Sequence, residues 1–270
     1  TLFSTMYWAF GFLRMGTGGL VAQAFGARDE ETLRRVTIRA LVLAAAIGAL
    51  VVALAHPLLV LGLGAMAGSE ALHALTGDYF HVRVLSAPAT LALFVIQGAL
   101  VGQQRMRAVL GLQLLQNGLN VALNILLFTA TELAIVGVAI ATVASELVTL
   151  AVGLWLLRAV LDPRRTDGAR SAPLGHWLFE RAALARLFSI SGDLFVRSLC
   201  LTAAYYWLTA AGTRLGPTVL AANAILLQFV YFTSHALDGF AHAAEALVGE
   251  ALGRRDPASL SAAVRASTWL

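Results

Sequence analysis

The sequence predicts an all-α protein, a polytopic transmembrane helical bundle, on three observations. Of its 270 residues 59% are hydrophobic and only 13% charged, against roughly 25% charged in an ordinary soluble domain. Apolar runs of about 20 residues, the length a bilayer core requires, recur along the chain. The connectors between them alternate between arginine-rich and arginine-poor, as in a chain that crosses a membrane repeatedly. All 19 basic residues are arginine. They lie in short connectors rather than on one basic face, so the net charge of +4 does not signal nucleic-acid binding. Cys200 is the single cysteine, which excludes an intrachain disulfide and a cysteine-based metal cluster. No secretory signal pattern opens the chain, Thr1 is not an initiator methionine, and the closing AAVRASTWL reads as the start of another apolar helix. The sequence is therefore expected to be a fragment, continuing at both ends.

Leu2 to Phe25 is the first span, broken by Arg14 and by Gly16, Gly18 and Gly19, small residues that let helices approach closely in lipid. A basic connector follows, with Arg28, Arg34, Arg35 and Arg39, then a clean second span from Ala40 to Leu63. Gly64 to His81 reads as a non-basic connector holding Glu70, His73, Asp78 and His81. The two histidines and Asp78 approach metal-ligand spacing but lack a further convincing ligand, so no metal is expected. Val84 to Val101 is the third span, with Pro88 expected to kink it. Val109 to Thr129 is the fourth and carries Gln113, Gln116, Asn117, Asn120 and Asn124 on one helical face. Such amides either join helices or line a cavity. Ile135 to Leu157 is the fifth span and holds Glu146. Arg158 to Arg186, with Arg164, Arg165, Arg170 and Arg181, reads as an interdomain linker plus a surface helix. Leu187 to Ala211 is the sixth span, where Asp193 and Arg197 stand four residues apart and can neutralise each other.

The seventh span, within Leu220 to Asp256, organises the rest. Tyr231, His235, Asp238, His242, Glu245 and Gly249 recur at steps of three and four, which aligns them on one helical face. Ionisable groups inside an apolar span are costly and mark a protein interior or a water-filled cavity. Here they indicate a polar pathway; the alternative is a stripe that joins helices, with Glu245 at the membrane surface. Seven full spans and the start of an eighth put Thr1 outside and the basic connectors in the cytoplasm.

Leu20 to Ala40 and Leu247 to Ala266 share the frame L-V-x-x-A-x-G-x-R-D, offset by about 227 residues and followed in both by an arginine-dotted helix start. Both copies fall at the cytoplasmic end of a span, so the duplication is parallel, an arrangement that places a transporter's substrate site between its halves. FLRMGTGGLVAQAFGARD, LVGQQRMRAVLGLQLLQNGLNVALNI, GVAIATVASE and the whole of Leu220 to Asp256 resemble the multidrug and toxic compound extrusion (MATE) family, and within it the DNA-damage-inducible-F type. The resemblance covers essentially the whole chain. It implies twelve transmembrane helices in two six-helix lobes, of which this chain carries the second to the eighth and the start of the ninth. Residues 1–160 would be the N-lobe, 161–186 a cytoplasmic interlobe linker, and 187–270 the start of the C-lobe. The aspartate of the family's first helix, central to ion coupling, would lie before Thr1.

The resemblance further implies a non-enzymatic antiporter of a bacterial inner membrane, acting as a monomer. It would export cationic or amphiphilic small molecules in exchange for H+ or Na+, with no cofactor. A carboxylate in low dielectric suits that exchange, because a bound cation and a bound proton compete for it. The expected coupling and pathway residues are Asp238, Glu245, Asp193 with Arg197, and His242, with Asp238 foremost for its depth in the span. Gln116, Asn120, Asn124 and Glu146 are expected to line the cavity, and Arg14 to be structural. A lipid-linked oligosaccharide flippase is the rival within the same superfamily, but it calls for an arginine-lined cavity. A membrane-embedded enzyme finds no HExxH, GxSxG or P-loop motif in the chain. A purely structural scaffold would leave the polar stripes without a role.

Overall fold

The computed structural model describes residues 7, 10–64, 70–130, 134–162, 177–178, 180–214 and 216–269. The described residues form ten helices: α1 (Phe12–Gly26), α2 (Glu30–Ala53), α3 (Ala55–Gly64), α4 (Glu70–Val84), α5 (Ala87–Gly102), α6 (Met106–Ala130), α7 (Ala134–Leu161), α8 (Arg181–Arg214), α9 (Pro217–Arg254) and α10 (Pro257–Trp269). α2, α6 and α7 are long and apolar enough to cross a membrane, and α4 with α5 makes a fourth such segment bent by 55°. By this length-and-composition measure fewer spans are counted than the seven expected, although helices occupy the described parts of every expected span.

α5 is the centre of the bundle. Every residue from Leu91 to Gly102 apart from Ala92 and Phe94 is buried, as expected of a helix that is apolar all round. On one side it packs with α1, α2 and α4 through Leu13, Ala44, Phe80, Val84, Leu91 and Val95. On the other it packs with α1, α2, α6 and α7 through Val21, Leu33, Ile96, Leu100, Leu112 and Leu157. Gly102 lets it approach α1 closely: a Cβ there would stand 2.6 Å from the Gly18 carbonyl oxygen and 2.9 Å from the Ala22 nitrogen.

Two boundaries differ from the sequence reading. Gly64 to His81 is not a plain connector, because α4 begins at Glu70 and continues to Val84. The bend falls at Leu85 and Ser86, ahead of Pro88, which sits in the first turn of α5 where its missing N–H costs no hydrogen bond. Likewise Arg34, Arg35 and Arg39 do not lie in a connector but ride on the first turns of α2. Arg164, Arg165 and Arg170 fall outside the described residues. At residues 177, 178 and 180 the chain is tied back to α2: the Arg39 guanidinium donates to the Trp177 and Leu178 carbonyls and pairs with Glu180 at 3.7 Å. Arg35 and Arg39 also approach the Trp177 ring at 5.7 and 6.0 Å.

The two copies of the repeated frame fold alike. α1 and α9 each end in an arginine of left-handed conformation, Arg28 at φ 55 and Arg255 at φ 53. Each is followed by an aspartate that caps the next helix. Asp29 accepts from the Thr32 N–H at 2.9 Å and its hydroxyl at 2.6 Å, while Asp256 accepts from the Ala258 N–H at 3.0 Å and from the Ser259 hydroxyl. The Thr32 hydroxyl and N–H hold the Asp29 carboxyl below the usual carboxylate range. Its cap is therefore complete at neutral pH and lost as pH falls through that lowered value. Asp29→Ala is expected to cost about 1 kcal/mol, read as a lower unfolding temperature at pH 7 whose gap to the unsubstituted protein narrows as pH falls below the ordinary carboxylate range.

Candidate functional site

The polar stripe of α9 does two different things along its length. Its C-terminal part lies against α1, where that helix has surrendered its side chains. Glu245 rests over Gly18 and Gly19, its Oε1 3.5 and 3.3 Å from where their Cβ atoms would stand. His242, one turn earlier, has Nδ1 3.8 Å from Glu245 Oε2. Arg14 lies one helical turn from Gly18 on α1, and the acids whose charges reach its guanidinium are Asp238 and Glu245. The Nε atom of Arg14 and the Nε2 atom of His242 are buried without a hydrogen-bond partner among the described residues. The side chains along this face are thus two carboxyl groups, one guanidinium and one imidazole.

The N-terminal part of the stripe is open. Asp238, His235 and Tyr231 are exposed. His235 Nδ1 lies 2.6 Å from the Tyr231 carbonyl of its own helix, and the Tyr231 ring meets Tyr205 of α8 at 5.2 Å between centroids.

Beyond Glu245 the two repeat copies close on each other. A Cβ on Gly26 would fall on the Glu250 carbonyl, 2.8 Å from its carbon, and one on Gly253 would fall on the Gln23 carbonyl, 2.8 Å from its carbon. In the repeat Gly26 corresponds to Gly253 and Gln23 to Glu250, so the contact is reciprocal, as about a two-fold axis. Between them a Cβ on Gly249 would stand 2.7 Å from the Ala22 Cβ. The Glu250 carboxylate accepts from Gln104, in the left-handed turn between α5 and α6, and from Arg254. The stripe is thus shut at the arginine-rich end of the helices and open at the other.

The remaining expected residues lie elsewhere. Asp193 and Arg197 are exposed on α8, and no ion pair joins them among the described residues; an exposed pair gains little from contact. On α6, Asn120 donates to Thr142 of α7 at 3.0 Å and so joins the two helices, while Asn124 donates to Asn120 at 3.0 Å within α6. Gln116 is half-buried on the same helix. Glu146 is buried and receives both arms of Arg83, at 2.9 and 2.7 Å, and the Thr90 hydroxyl at 2.9 Å. Ser86 also binds Arg83, and the Tyr7 ring lies 5.2 Å from its guanidinium. Sequence reasoning missed Arg83. It fell between the supposed connector ending at His81 and the span beginning at Val84, although a lone arginine abutting an apolar span and an acid inside another are a signal for pairing. The described residues contain no group of three or more potential metal ligands, and Cys200 is exposed.

A cavity of about 450 Å³ at the arginine-rich end, beside Arg28, Glu30 and Arg105, is separate from the stripe.

The fold and these sequences match known proteins. DNA damage-inducible protein F of Escherichia coli (strain K12) is 39% identical over 249 residues, 92% of this chain and 53% of that protein, so the chain spans about half the length of the curated relative it matches. A MOP superfamily transporter from Pyrococcus furiosus Vc1 (DSM3638), described as having a binding pocket of reverse polarity, superposes with a TM-score of 0.81 at 21% identity, over 98% of this chain and 58% of that one. The outward-facing conformation of a multidrug resistance MATE family transporter gives 0.80 at 22%, again over 98% and 58%. MATE in complex with MaD3S gives 0.81 at 21%, over 98% and 60%. The family model described as MatE matches residues 1–126 and 194–270, and this chain, with its membrane-length helices and duplicated frame, belongs to the MatE family of membrane transporters.

Proposed function

We propose that this chain serves secondary active efflux of cationic or amphiphilic small molecules, in antiport with protons or sodium ions, by alternating access between two lobes. Residues 1–160 and 187–270 would belong to the lobes and 161–186 would join them. The observation that carries this reading is the carboxyl-bearing face of α9, where Glu245 with His242 beside it lies against the glycines of α1 and the paired glycines close the arginine-rich end. With the arginine-rich end in the cytoplasm, the glycine contacts between α1 and α9 would belong to an inward-closed state under this reading. A cation entering the stripe competes with a proton for the same carboxylates, which is the exclusivity an antiporter needs. A flippase for a lipid-linked pyrophosphate would call for arginines rather than the carboxyl groups of Asp238 and Glu245 along this face.

The test is export of a cationic dye from proteoliposomes carrying an imposed proton gradient, using the protein as expressed from its natural gene. Asp238→Asn is expected to lower gradient-driven export at least about tenfold at equal folded amounts, the scale of one lost charge interaction. Export unchanged by that substitution would move the coupling role to another acid. No export by either protein, with a sodium gradient failing too, would sink efflux of cations and favour the flippase.

A further inference from the structure

We propose that Arg39 and Trp177 form a mooring that fixes the pivot between the two lobes: the chain just before α8 is tied to α2, and α8 swings from that point. The proposal rests on the two-lobe reading and goes beyond it by naming the edge of the molecule that stays together as the arginine-rich end opens.

The mooring holds both backbone and ring. The Arg39 guanidinium spans two successive carbonyls, its Nη2 donating to Trp177 at 2.5 Å and its Nε to Leu178 at 3.3 Å. It can do so because its donors are set in a rigid fork that keeps its charge. The Trp177 ring lies 5.7 Å from the Arg35 guanidinium and 6.0 Å from that of Arg39, within cation–π range of both. Arg35 and Arg39 stand four residues apart on α2, so one face of that helix presents both. The indole is only 4% exposed and Arg39 only 8%, which makes this a packed joint rather than a surface contact. Glu180 adds a longer ion pair to Arg39, at 3.7 Å.

The consequence follows from chain length. The Glu180 N–H donates back to the Trp177 carbonyl, closing a turn, and α8 begins at the next residue, Arg181. Three residues lead from Leu178 to Arg181, so the start of α8 stays within about 10 Å of the mooring however it turns. α8 packs against α9, which is therefore carried on the same pivot. The contact of α9 with α1 at Gly26 and Gly253, by contrast, joins helices more than 200 residues apart and has no short chain link to hold it. Rocking then separates α9 from α1 and leaves α8 beside α2.

The experiment measures distances between pairs of spin labels by double electron–electron resonance, on the protein as expressed from its natural gene, with Cys200→Ser, in lipid nanodiscs. One pair, on cysteines at the exposed Glu30 and Arg181, reports the α2–α8 edge; the other, at the exposed Ala27 and Leu252, reports the α1–α9 edge. In Gly253→Ala the α1–α9 distance is expected to grow by about 5 Å or more, one helical turn, while the α2–α8 distance holds. Trp177→Ala combined with Arg39→Gln is expected to broaden the α2–α8 distribution by a similar amount, about one helical turn. Trp177→Ala alone, which leaves the carbonyl grip in place, is expected to broaden it less, and Trp177→Phe, which keeps a ring for the two guanidinium groups, to leave it narrow. Equal widening of both edges in Gly253→Ala would overturn the pivot. An unchanged α2–α8 distribution in the folded double variant, or in folded Trp177→Ala where the double variant does not fold, would overturn the mooring, and this arm decides even where Gly253→Ala opens nothing. None of these distances depends on transport, so failure of dye export from proteoliposomes would count against the efflux reading alone.

Discussion

Alanine in place of Gly253 is expected to hold α9 away from α1 and release the closed, arginine-rich end of the molecule. The added methyl would fall on the Gln23 carbonyl, 2.8 Å from its carbon and 2.9 Å from the Ala27 nitrogen. All three atoms are backbone, so no rotamer change relieves the clash and a whole helix must move. Overpacking of this kind costs about 1–3 kcal/mol. If the two-lobe reading holds, that cost falls only on the closed state, and about 1.4 kcal/mol of it shifts the ratio of open to closed molecules tenfold. Gly26→Ala meets the Glu250 backbone in the same way and is expected to act alike. The measurement is the labelling rate, by a membrane-impermeant thiol reagent, of a cysteine placed at Ala22 after Cys200→Ser. Ala22 is fully buried under Gly249 in the closed arrangement, so labelling should accelerate about tenfold in either alanine variant. An unchanged rate in a folded Gly253→Ala protein would show that these glycines do not govern closure.

How much of this was legible in the sequence depends on whether the signal was local or relational. The duplicated frame was legible and its details carried structural meaning. Its glycine is the contact point of the two helices, its arginine takes the left-handed conformation that ends each helix, and its aspartate caps the next. The spacing of Asp238, His242 and Glu245 identified one face of α9, because helical periodicity alone sets it. That α1 would be the partner of that face was not legible, since nothing local in α1 says where Arg14 points. Arg14 was expected to be structural, paired with an acid or a carbonyl, but the sequence did not say that the acids nearest in charge would be on α9, more than 200 residues away. The break before α5 was misplaced by a few residues because proline signals a helix start as readily as a kink. Arg83 was passed over because connector and span were bounded on either side of it, and only the packing of α4 on α7 shows that it answers Glu146.

The Arg83–Glu146 pair carries the second large effect. Both side chains are buried, at 9% and 3% exposure, and the contact is bidentate with Thr90 as a third donor. Removing one partner leaves the other as an isolated buried charge, so Glu146→Ala or Arg83→Ala is expected to destabilise by about 3–5 kcal/mol. Replacing both is a different experiment. A volume-matched apolar pair such as Arg83→Met with Glu146→Leu removes the desolvation penalty together with the attraction, and exchanges of that kind are often neutral in stability. The single variants should therefore unfold at clearly lower temperature in detergent, while the double variant should recover most of the loss. The pair spans the bent segment, from the last turn of α4 past the break at Leu85 and Ser86 to α7, with Thr90 of α5 on the same carboxylate. If its role is to fix that bend, the double variant will regain stability but export more slowly, because an apolar contact does not prescribe an angle as a forked guanidinium does. Recovery of stability and export together would make the pair a packing element with no hold on the bend. No recovery of stability would mean that the site cannot close around an apolar pair, and that the ion pair itself is what brings α4 and α7 together.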